Sequence, residues 1–72
     1  MNEADDQANL EDLREAEEAL IMAHQALNRA MLGIGGAAAG KRAREHFIFK
    51  VGFAHGRLSR VTERIYRAGE TP

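Results

Sequence analysis

The chain lacks cysteine and tryptophan, and it has one proline and four aromatic residues (three Phe, one Tyr) in 72 positions. Without cysteine there is no disulfide framework and no thiolate metal site, which fits a cytoplasmic protein. The only proline is Pro72, so nothing of that kind interrupts a helix earlier in the chain. The longest uncharged run, residues 30–40, is far shorter than the roughly 20 apolar residues a bilayer span needs, and it is rich in glycine. The N-terminal stretch is acidic and polar, unlike the basic start and apolar core of a secretory signal. No HExxH motif occurs, and His24, His46 and His55 are not spaced by four, so no helical metal site is expected. Ser59, Thr62 and Tyr66 have no base placed in sequence to activate them. These absences predict a protein without catalysis, cofactor, metal or small-molecule substrate.

What is present is mostly Ala, Leu, Glu and Arg, a composition that predicts an all-α chain. At this length it is a single domain, residues 1–72. Such a chain buries only about 60% of its unfolded surface, so its own core is marginal and oligomerisation is a usual remedy. The net charge of −1 hides a strong polarity. Residues 1–32 hold eight acids and two bases, and residues 33–72 hold eight bases and three acids. An acidic helix lying antiparallel to a basic one accounts for this. A face for nucleic acid or for an acidic protein is the sharper alternative.

The periodicity predicts a two-helix antiparallel hairpin over about residues 9–32 and 38–68. Residues 1–8 are expected to fray, with Asn9 as the N-cap and Asp12 three positions on; an earlier start near Asn2 or Asp5 stays open. Leu13, Ala16, Leu20, Ala23, Leu27 and Ala30 step by three and four, a stripe of alternating Leu and Ala that lets a partner helix approach closely. Residues 33–40 form a Gly/Ala-rich hinge in which Gly33 can take the left-handed C′ position. The hinge follows a helix and has no GKS or GKT ending, so nucleotide binding is not expected there. In the second helix Phe47, Val51, Ala54, Leu58, Val61 and Ile65 form the matching stripe. Gly69 is expected to close it, leaving a short tail.

Residues 41–67 allow a second reading. Phe47, Val51, Phe53, Leu58 and Val61 fall at apolar offsets resembling a helix-turn-helix, with the helix broken at Gly52. The following helix then presents Arg57, Arg60, Arg64 and Arg67 to phosphates. Ile48 stands against this reading, because that position in the motif wants Ala or Gly for close helix crossing.

Phe49 and Phe53 lie four apart and off the main stripe, and Gly52 and Gly56 give a GxxxG spacing beside them. A helix with two apolar faces buries both, so a second interface is expected here. The corresponding expectation is a homodimer, forming a four-helix bundle with Leu13, Leu20, Leu27, Phe47, Val51, Leu58 and Ile65 in its core or dimer contact. Phe49, Phe53, Lys50 and Arg57 are then the partner-binding candidates. Function is expected to be that of a small regulatory or inhibitory protein acting on a protein partner, of the economical kind that suits a phage or plasmid accessory regulator. The alternatives are a DNA-binding regulator using Arg57, Arg60, Arg64 and Arg67, and a purely structural oligomerisation module.

Overall fold

Asn2 sits in extended backbone, and its side-chain oxygen accepts the Asp5 N–H at 2.8 Å, which starts the first helix. A computed structural model describes residues 2–70, and in it the two helices are α1 (Glu3–Leu32) and α2 (Gly36–Glu70). Three acids, Glu3, Asp5 and Asp6, occupy the first turn of α1, where the helix dipole favours them. The expectation of a frayed segment up to residue 8 with Asn9 as cap is therefore corrected. Residues 3–8 are helical, Met1 lies outside the described residues, and Asn9 is an interior helix position that is buried. The capping signal at Asn2, the earlier start left open above, prevailed because it satisfies an orphan N–H seven residues further out, among good helix formers.

Gly33 ends α1 in the left-handed region at φ 67°, as its position predicts, and its N–H bonds back to the Ala30 carbonyl. Gly35 is also left-handed, at φ 82°, and a Cβ there would come 2.8 Å from the Ala39 Cβ. The turn is thus short, and α2 starts at Gly36 instead of residue 38. From there α2 is continuous through Gly52 and Gly56 to Glu70, so the alternative of a helix-turn-helix broken at Gly52 is overturned. A lone glycine weakens a helix by about 1 kcal/mol but does not break one that packs along its whole length. Gly69 likewise lies inside the helix and is not its C′ residue; of the expected tail, Glu70 is helical, and Thr71 and Pro72 lie outside the described residues.

The helices pack antiparallel along a rod with Cα extents of 56 × 16 × 12 Å. Their seam follows a seven-residue repeat. On α2 the positions Gly40, Ala43, Phe47, Lys50, Ala54, Arg57, Val61, Arg64 and Ala68 step by three and four, and every other residue of 41–69 is exposed. On α1 the matching positions are Asn9, Asp12, Ala16, Ala19, Ala23, Ala26 and Ala30. This 3.5-residue period is that of a coiled coil, with alanine supplying the knobs. Ala16, Ala19 and Ala54 meet at its centre.

As the core of the single hairpin, the expected set is corrected accordingly. Leu13, Leu20, Leu27, Val51, Leu58 and Ile65 are exposed, at 37–53% of their full area, and only Phe47 of the predicted set enters the seam, where it is half-buried. The predicted stripes share Ala16, Ala23 and Ala30, and Phe47, Ala54 and Val61, with the seam. The leucines flank it on one side. The buried apolar residues are five alanines and Val61. The five methyl groups together contribute about 4 kcal/mol at about 0.8 kcal/mol each, so the intrachain core is thin.

Two glycines provide opposite tests. A Cβ at Gly52 meets nothing within 4 Å, so Gly52→Ala should raise the isolated chain's stability by about 1 kcal/mol. Gly35→Ala should lower it by more than about 1 kcal/mol, since it adds both a left-handed penalty and a clash. Thermal and urea melts followed by circular dichroism measure both.

Candidate protein-interaction surface

The charges segregated along the sequence meet at the open end of the hairpin. Asp12 is buried at a seam position, where Arg64 Nη1 donates to its Oδ2 at 2.6 Å and Arg57 Nη1 to its Oδ1 at 3.4 Å. Arg64 Nη1 also donates to Asn9 Oδ1 at 3.0 Å, and Arg57 Nε lies 2.8 Å from Glu15 Oε2. The Arg64 hydrogen bond, aided by the charges of Arg64, Arg57 and Arg60, holds the Asp12 carboxyl below the ordinary carboxylate range, against the upward push of burial. The acidic and basic halves therefore neutralise one another in part within the chain.

This decides what the four candidate phosphate-binding arginines can do. Arg57 and Arg64 are half-buried and committed to Asp12. Arg67 pairs with Glu63 one turn away. Arg60 remains exposed on the flank. A helix lying on duplex DNA would have to give up the pairs that close the hairpin before Arg57 and Arg64 could reach phosphate.

Arg57 is also the base of an aromatic surface. Its guanidinium stacks 4.9 Å from the Phe53 ring centroid, and the Lys50 ammonium lies 5.7 Å from that of Phe49. Phe53 faces the groove over Glu15, Glu18, Ala19, Met22 and Lys50. Phe49 is 66% exposed, and Lys50 is half-buried at the seam. Beside Phe53, Arg57 and Arg60 the bare backbone of Gly52 and Gly56 leaves a notch of about 210 Å³. Sequence reasoning found Phe49, Phe53 and the GxxxG spacing. It missed that Arg57 is clamped from below, because Asp12 looked like a first-turn acid and not a seam residue.

The second surface is the one on which the leucines lie. A groove of about 630 Å³ runs there, lined by Leu13, Ala16, Leu20, His24 and Leu58 among others. The three histidines are all exposed, and no group of three or more His, Cys, Asp or Glu among the described residues is arranged to hold a metal ion. No helix among the described residues is long and apolar enough to cross a membrane. Comparison with protein-family models, curated proteins and solved structures found no match.

The Asp12 cluster has a signed pH dependence. Its folded-state carboxyl titrates below the unfolded value of about 3.9, so its contribution is present above that pH and is lost as pH falls through the folded value. Urea midpoints should therefore drop as pH falls below about 4. Asp12→Asn should be less stable at pH 7 and lose less on acidification, which the same titration reads.

Proposed function

We propose that the chain acts by binding another protein, without catalysis of its own, as a small regulatory or inhibitory module. The binding surface is the outward side of α2 around Phe49, Phe53, Lys50, Gly52, Gly56 and Arg60. One observation carries this reading. Gly52 and Gly56 cost the middle of a long helix about 1 kcal/mol each, yet nothing in the chain approaches within 4 Å of where their Cβ atoms would lie. Close packing inside the hairpin does not account for them. A second helix laid across the notch does, because bare backbone lets it approach closely beside the exposed Phe53 ring. The ring of Phe53 is held in place by Arg57 before any partner arrives, which lowers the ordering cost of binding.

Charge specifies the partner further. Arg57 and Arg60 line the notch, and Lys50 lies on the neighbouring groove that shares Phe53. The partner that fits is an amphipathic helix with acidic residues beside its apolar stripe. Nucleic acid is the weaker reading, since Arg57 and Arg64 are engaged by Asp12.

A photoreactive residue in place of Phe49 should give a discrete adduct with a heterologous protein in cells that make this chain. With that protein purified, Gly56→Leu should weaken binding by at least about tenfold and leave helicity unchanged. Adducts only with a second copy of the chain would replace this reading with a structural oligomerisation module. Binding of random duplex DNA that falls steeply with salt and is lost in Arg60→Ala would replace it with nucleic-acid binding.

A further inference from the structure

We infer that the leucine face of the hairpin is a self-association surface, and that two copies of this chain pair over it to complete one four-helix core. The face is separate from the Phe49/Phe53 notch. Leu13, Leu20 and Leu27 are seven residues apart on α1, and Val51, Leu58 and Ile65 are seven apart on α2. Each series sits one position past the alanine seam, and the groove containing Leu13, Leu20 and Leu58 brings the two to the same side of the rod. The hairpin therefore carries two parallel seven-residue seams. One is used between its own helices. The other is unpartnered, and a second seam of this kind on both helices is what a four-helix bundle requires.

Surface area points to a second copy as the occupant. The chain exposes 5492 Å², whereas a compact monomer of 7.9 kDa exposes about 4,400 Å². The excess, roughly 1,100 Å², matches or exceeds the ~800 Å² that each partner buries in a standard stable interface. The missing core is the same deficit seen from inside, since alanine and one valine are all that the hairpin buries among apolar residues. The other long side of the rod does not offer the same contact. There Met22 and Phe53 are interspersed with Glu15, Glu18, Lys50 and Arg60, so the unbroken aliphatic seven-residue series runs along one side alone. A single self-complementary face makes a closed two-fold dimer and not a filament.

The test is the mass and concentration dependence of the purified full chain. Sedimentation equilibrium at tens of micromolar should give twice 7.9 kDa, and the thermal midpoint should rise with protein concentration. Leu20→Glu and Leu58→Glu each put a carboxylate on a side chain that the single hairpin leaves about half exposed, so the lone fold has room for them. Each should weaken dimerisation by at least about a hundredfold. Phe49→Ala should leave the dimer intact. A 7.9 kDa species with a concentration-independent midpoint would overturn the inference. So would a dimer that survives both glutamates, or one that is lost in Phe49→Ala, because the contact would then lie elsewhere. If a glutamate variant loses helicity altogether, Leu20→Ala and Leu58→Ala, which keep helix propensity, read the face instead: a dimer that neither weakens would overturn the inference.

Discussion

Asp12 is enclosed at the helix seam, and a carboxylate taken out of water has to be met there by hydrogen bonds and opposite charge. Arg64 and Arg57 meet it from the facing helix, two turns apart; Arg64 Nη1 also donates to Asn9, and Arg57 forms an ion pair with Glu15. That arrangement exists only when α1 and α2 run antiparallel with the acidic start of one beside the basic end of the other. Part of the charge polarity of the sequence is thus used in folding. It also commits Arg57 and Arg64 to Asp12 and sets the Phe53 ring against the Arg57 guanidinium.

The alanine seam sets the second constraint. Alanine allows the helices close together but removes little apolar surface from water, so most of the large aliphatic side chains remain outside. Leu13, Leu20, Leu27, Val51, Leu58 and Ile65 gather on one long side of the rod, and Phe49, Phe53 and Arg60 lie on the outer side of α2. The molecule divides its labour by helix face: a small-residue side for itself, an aliphatic side, and a glycine-notched aromatic side.

Much of this was legible in the sequence, and the part that was not has a physical reason. Composition and the glycine run give the hairpin, the turn and the Gly33 cap directly. Helix direction and charge pairing follow from the acid and base distribution. The seam was misplaced by one position because Leu outweighs Ala in any reading of apolar periodicity, whereas helix pairing here favours close approach over bulk. Ala16, Ala23 and Ala30 belong to both stripes, so the two registers are hard to separate by spacing alone. Asn9 and Asp12 resemble a helix start because the same side chains that cap a helix can also be buried by arginines forty-five and more residues away. Only contact between the helices separates those roles. The break at Gly52 failed for a similar reason, since packing on the opposite side of α2 holds the helix through a residue that is poor in isolation.

Helix pairs ordinarily come apart by fraying from a free end. In this hairpin the tight glycine turn ties the helices covalently at one end, and the Asp12–Arg57–Arg64 cluster lies toward the other. The alanine stretch between them is the smoothest and least adhesive part of the seam, but it has no loose edge from which to peel. Separation has to begin by breaking the charged cluster, and little beyond it resists. The hairpin is therefore latched like a clasp: shut or open, with few stable positions between.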